Sequence, residues 1–361
     1  MTELKLSFFN KVHFICFILL VTVNVSFSAI KKEDFRKGIK SHDDWVNRLL
    51  ETGDPRILYL LQSRCGYVTS LEQSKKICEA FAGDSQRFES FLRERNILGA
   101  FDGLYDKKVE AWKAQYPKNY IAKSKYYYVF GHATQKNETI KIAKFMDKIY
   151  ELYRKKFKSD EKVAERFFVK VYPNERDFKK TLSAGSGFAF AYYSGAEREL
   201  VCHLSSPKEL LRVLQTLAHE GFHQFLGYYV PNPPIWLNEG MAEYFEGLDP
   251  RERLVDSKRT INRSDLQRMK AFLSQGAYVP LKRFIYMSQE EYYSNPSLHY
   301  AQGWSLIYFL AYASKSYNKY FQELIQYLKN GYDREPALDA TFEKVDFDKM
   351  ERIWKKFILD M

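Results

Sequence analysis

Residues 210–247, "LLRVLQTLAHEGFHQFLGYYVPNPPIWLNEGMAEYFEG", constrain this chain more than any other stretch. Two runs with helical apolar spacing are separated by a Pro-rich break, and each also carries imidazoles or carboxylates. The preceding "SPKE" is a helix start: Ser206 as N-cap, Pro207 in the first turn and Glu209 closing a capping box. Leu210, Leu214, Leu217 and Gly221, together with Leu211, Ala218, Phe222 and Phe225, keep the spacing of one buried face. A helix is therefore predicted to run to about Gly227. "GYYVPNPP" breaks it, and "IWLNEGMAEYFEG" restarts as a second helix.

On the first helix His219 and His223 lie one turn apart and point the same way. Two imidazoles so placed can hold one zinc ion, at about 2.0–2.1 Å from each nitrogen. Glu220 projects to the side of that position, where a water would sit. The pattern is HExxH, here "HEGFH". Taken alone it leaves open two solvent-facing histidines on a surface helix. A reversal at the break would return Glu239 to the histidines as a third ligand, the His-His-Glu set of zinc hydrolases with one position left for solvent. Glu243, one turn beyond, is placed to accept a hydrogen bond from a liganding histidine's second nitrogen. For both acids the alternative is a solvated helix face.

The first 28 residues have the layout of a secretory signal peptide. Lys5 and Lys11 precede the apolar run "FICFILLVTV", and small residues follow, with cleavage expected after Ser28. An N-terminal membrane anchor is the alternative, although Asn24 interrupts the run short of the roughly 20 apolar residues a span needs. Cys16 lacks the small-residue box of a lipidated cysteine. In an oxidising compartment Cys65 and Cys78 are close enough in sequence to pair, with Cys202 left over. Formal net charge is +11, and loss of Glu3, Lys5 and Lys11 lowers it by one, to +10. That balance favours anionic envelope neighbours such as lipid head groups or acidic polymers. Without a concentrated basic tract interleaved with aromatics, no nucleic-acid partner is expected.

Residues 29–120 read as a helical N-terminal module of unassigned role, with amphipathic stretches at 43–63 and 90–117. The texture then changes. Strands are expected at "KYYYVFG", "RFFVKVYP", "GFAFAYYSG" and "RELVCHLS", the last two joined by a turn at Gly195. A long amphipathic helix, "ETIKIAKFMDKIYELYRKKF", lies between the first two strands, and nearly everything after Ser206 reads as helix. Strands followed by helices predict an α+β class: a small mixed sheet and then a helical lobe. His42, His132 and His203 read as structural or surface residues, and Cys202 as a buried strand residue.

"HEGFH…WLNEGMAEY" resembles the gluzincin metallopeptidases, the clan that shares the thermolysin-like and aminopeptidase N-like active site. The resemblance covers residues 125–361, and the carboxy-terminal "VDFDKMERIWKKFI" is similar to the last helix of exported bacterial peptidase MA-like proteins. It implies a thermolysin-like zinc helix pair and a metallopeptidase domain over 121–361. Glu239 is implied as third zinc ligand beside His219 and His223, and Glu243 as the acid supporting a ligand. "HYAQGW" resembles the Y-x-x-G helix start of the aminopeptidase N-like members, which implies Tyr300, with His299 as substitute, as hydrogen-bond donor to the oxyanion. Two departures stand out. Only fifteen residues separate His223 from Glu239, fewer than in the best-known members. No "GAMEN"-type glutamate precedes the zinc helix, which argues against an aminopeptidase and for peptide pairing along a strand edge.

The expected activity is zinc-dependent peptide hydrolysis with Glu220 as general base. The substrate would be a peptide or protein, with a cell-wall cross-linking peptide as one option. The competing reading is a secreted envelope-binding scaffold that keeps the fold without turnover.

Overall fold

Strands that read as almost unbroken apolar runs belong to sheets covered on both faces, and the computed structural model of the chain shows such a sheet. It describes residues 104–361 except 159–165, 183–189, 195–196, 198, 231–232, 253–260, 330–331 and 333. The expected leader, most of the amino-terminal module, the Cys65–Cys78 pairing and the turn at Gly195 lie outside the described residues.

The described chain opens with α1 (Leu104–Gln115), β1 (Asn119–Lys123) and β2 (Tyr127–His132). A long helix, α2 (Lys136–Lys156), leads to β3 (Phe167–Tyr172), the short α3 (Glu175–Lys179), β4 (Ala191–Ser194) and β5 (Glu199–His203). The strands form one mixed sheet in the order β1-β2-β3-β5-β4. β2, β3 and β5 run parallel, while β1 and β4 are antiparallel to their neighbours and form the two edges.

Alternation along the strands divides two cores. Tyr127, Val129, Phe167, Val169, Val171, Leu200 and Cys202 face α2 and the helical lobe. Phe130, Phe168, Tyr172 and Val201 face the opposite way, against Val109 and Trp112 of α1 and Phe178 of α3. The Trp112 indole N–H donates to the Gly131 carbonyl at 3.2 Å. Buried Lys108 reaches Glu199 at 2.7 Å, and Lys170 reaches the other oxygen of that carboxylate at the same distance. So α1, which lies before the expected boundary at residue 120, packs on the sheet and covers its second face. β1 was not anticipated: "NYIAK" is too short and too weakly apolar to announce a strand, and pairing with β2 supplies what its pattern lacks.

The lobe contains α4 (Leu210–Tyr229), α5 (Ile235–Glu246), α6 (Arg263–Ser274), α7 (Leu281–Ile285), α8 (Gln289–Ser294) and α9 (Pro296–Tyr312), followed by α10 (Lys315–Lys329), α11 (Arg334–Phe342) and α12 (Phe347–Leu359). The α+β class expected from the pattern is the class observed. The capping box at Ser206 and Glu209 forms as expected, on a 3₁₀ turn that feeds α4. α4 outlasts its expected end by two residues because Gly227 continues the helix instead of stopping it.

α9 is buried from Leu298 to Ala311 on nearly every side, the position of a central helix. It crosses α5 at two glycines. A Cβ built on Gly240 would lie 2.6 Å from the backbone of Gly303, so α5 needs hydrogen there to approach α9 this closely, while a Cβ on Gly303 would meet the Tyr292 hydroxyl at 2.7 Å. Trp354 of α12 closes the lobe by donating to Ser305 Oγ at 3.1 Å. Among the described residues no helix is long and apolar enough to cross a membrane.

Candidate metal centre

α5 is buried along most of its length, from Ile235 to Phe245, and yet it carries acids. Glu239 is 4% exposed and Glu243 9%. A solvated acidic face is therefore not what these residues form. Burying a carboxylate costs several kcal/mol, on the order of the stability of a marginal domain, unless a cation or strong donors compensate. What surrounds Glu239 is thus the central chemical question of the fold.

α4 and α5 are consecutive helices that pack on each other. This packing brings Glu239 of α5 to the His219–His223 pair of α4. The two imidazoles stand nearly perpendicular, with ring centroids 4.9 Å apart. Glu239 Oε2 is 3.6 Å from His219 Nε2 and 3.6 Å from His223 Nε2. Three donors at about 2.0–2.1 Å from one tetrahedral ion lie roughly 3.3 Å from one another, so a small side-chain adjustment brings this set to bonding geometry. One ligand atom from each residue falls within 4.8 Å of the others, a group able to hold a metal ion.

The fit can be tested on the acid itself. Glu239 Oε2 is fully buried and has no hydrogen-bond partner among the described residues. The other oxygen, Oε1, accepts the Tyr293 hydroxyl at 2.7 Å. A naked buried carboxylate oxygen aimed at two imidazole nitrogens is costly by itself, and a cation at their common focus removes the cost. Burial alone would raise the Glu239 carboxyl, but His223, His219 and Tyr293 outweigh it and hold it down at about 2.

The outward nitrogens of both rings face acceptors. His223 Nδ1 lies 2.9 Å from Asn238 Oδ1; an oxygen there accepts, so Nδ1 carries the proton and Nε2 keeps its lone pair for a metal. His219 Nδ1 lies 3.0 Å from Glu246 Oε2 and 3.7 Å from Glu243 Oε1. Glu246 therefore stands nearer than Glu243, the acid expected in that role. Burial, before its neighbours Asp265 and Glu246, pushes Glu243 well above the usual carboxylate range despite His219. His219 is also raised: burial disfavours its charge, but Glu239 and Glu246 outweigh that and hold it well above an ordinary imidazole.

Glu220 sits beside the triad on α4, and its Oε2 accepts the backbone N–H of Tyr193 in β4 at 3.0 Å. One oxygen of the expected base is thus tied to the edge strand. Tyr300 enters from the first turns of α9 and lies face-on to His219, with centroids 6.5 Å apart. Burial, then Glu239, drives its phenol far above the usual range, and the same two causes act on Tyr293. His299 does not join the group: it is buried against Phe284 and Tyr292, with Nδ1 2.6 Å from the Tyr292 carbonyl.

The sequence-based site residues other than the substitute His299 converge here: His219, Glu220, His223, Glu239, Glu243 and Tyr300. Three further side chains escaped sequence reasoning. Asn238 is adjacent to Glu239 and Glu246 continues the Glu239–Glu243 stripe one turn on, so both had a local signal. Tyr293 had none, because it belongs to a separate short helix ended before Pro296. His203 and Cys202 are buried on β5, away from this chemistry.

Residues 213–338 match a protein-family model described as "Protein of unknown function (DUF1570)". No curated protein matches the chain. The matched segment contains the whole donor set, from His219 through Tyr300, together with the α5–α9 crossing that positions it.

Proposed function

We propose that this chain is an exported zinc-dependent peptidase, hydrolysing peptide bonds with Glu220 as general base. The observation that supports it most is Glu239 Oε2, buried and unpartnered among the described residues at 3.6 Å from two imidazole nitrogens. His219, His223 and Glu239 would hold the zinc. Nitrogen donors with one carboxylate suit zinc better than the all-oxygen cations calcium and magnesium. When bound, zinc supplies Lewis acidity that activates water and polarises a carbonyl.

The chain's own groups do the rest. Glu220 takes a proton from the attacking water, whose oxygen adds to the scissile carbonyl carbon. When the C–N bond breaks, the same carboxyl returns the proton to the leaving nitrogen. Tyr193 N–H, by holding one Glu220 oxygen, fixes the rotamer of the base. Tyr300 donates a hydrogen bond to the developing oxyanion. β4, as an edge strand beside Glu220, offers main-chain groups to an extended peptide.

Zinc content and peptide hydrolysis of the wild type and Glu220→Gln test the reading together. The Glu220→Gln variant should retain stoichiometric zinc and lose about 10²–10⁴-fold in turnover. A wild type that binds zinc and cleaves no peptide, cell-wall peptides included, would favour a metal-holding envelope scaffold instead.

A further inference from the structure

Tyr293 touches the candidate centre without belonging to the helices that build it. α8 is a single short helix, capped by Ser288, whose hydroxyl accepts the Glu291 N–H. From it the Tyr293 side chain, 41% exposed, reaches back to the buried Glu239 and donates its hydroxyl to Oε1 at 2.7 Å. The remaining oxygen, Oε2, is the one equidistant from His219 Nε2 and His223 Nε2. The two oxygens of one carboxylate are thus divided between a phenol and the imidazole pair.

A carboxylate on a metal can bind through one oxygen or through both, and hydrogen bonding is what biases that choice. A donor held on Oε1 competes with a metal for that oxygen, and it fixes the carboxylate plane. We infer that Tyr293 is a positioning residue that restricts Glu239 to single-oxygen ligation, keeping open the coordination position that hydrolysis requires. The inference rests on the metal reading above and deepens it. The neighbouring phenol of Tyr300, its ring centroid 6.4 Å from that of Tyr293, also feels Glu239, but the hydrogen bond to Oε1 is the one Tyr293 makes.

The division has a spectroscopic consequence independent of turnover. Cobalt(II) in place of zinc absorbs strongly in the visible when four-coordinate and weakly when its coordination number rises. Full-length wild type, Tyr293→Phe and Tyr300→Phe are each loaded with cobalt(II), and their visible spectra and metal stoichiometries compared. Tyr293→Phe should bind one equivalent and lose visible intensity, because the freed Oε1 joins the ion. Tyr300→Phe, which leaves the Oε1 hydrogen bond in place, should lose less intensity than Tyr293→Phe. The exposed position of Tyr293 leaves the fold intact when only its hydroxyl is removed, and the unchanged stoichiometry verifies this. Identical spectra for wild type and Tyr293→Phe would overturn the inference while leaving the metal centre standing. Failure of the wild type to take up cobalt or zinc would instead overturn the centre itself.

Discussion

Glu239 gives one oxygen to a phenol and points the other at two imidazoles, each of which has an acceptor behind it. Asn238 holds His223, and Glu246 stands closest to His219. Such supports set the tautomer and aim of a ligand, and losing one typically weakens metal binding by about 10–100-fold. Asn238→Ala should therefore lower zinc affinity by roughly that factor at unchanged stoichiometry, as read by competition with a chromophoric chelator. Wild-type affinity in the variant would show that α4 alone orients the ring. At this scale the HExxH spacing was legible because a single helix dictates which side chains share a face. Which of the α5 acids stands nearest His219 was not, since Glu243 and Glu246 lie on the same stripe and only the packed distance, 3.7 against 3.0 Å, separates them.

Among the elements, the crossing of α5 and α9 decides whether the donors meet. Gly240 follows Glu239 directly, and Gly303 lies one turn beyond Tyr300 on α9, so this close helix contact is placed next to the candidate third ligand and the candidate oxyanion donor. A methyl group on Gly240 would meet the Gly303 carbonyl carbon and oxygen, both at 2.6 Å. Backbone cannot yield as a flexible side chain can, and overpacking of this kind costs about 1–3 kcal/mol. Gly240→Ala should lower the denaturant midpoint accordingly and weaken zinc binding together with it. Reduced stability with undiminished zinc affinity would mean that the helices separate without moving Glu239. The "NEG-x-A" segment was readable as a helix, but the partner that its glycine touches lies far along the chain, on α9. No local pattern links them.

Over the whole molecule, a ligand that binds only the folded state stabilises it by mass action, by about 2.7 kcal/mol at a hundredfold excess over its Kd. Zinc should thus raise the melting temperature in a concentration-dependent way. A chelator should reverse the shift, and the His219→Ala/His223→Ala double variant should show none. A zinc-independent melting temperature in the wild type would contradict a preformed centre. Period-2 and period-3.6 patterns, a capping box and a Pro-rich break were enough to settle the α+β class, the histidine-bearing helix and the donor types, because each depends on residues within a few positions of one another. The docking of α1 on the second sheet face, the β1 edge, the burial of the α5 acids and the reach of Tyr293 to Glu239 were decided by the tertiary structure. These are contacts between segments distant in the chain, and their free energy comes from surfaces that meet only after the chain has closed on itself.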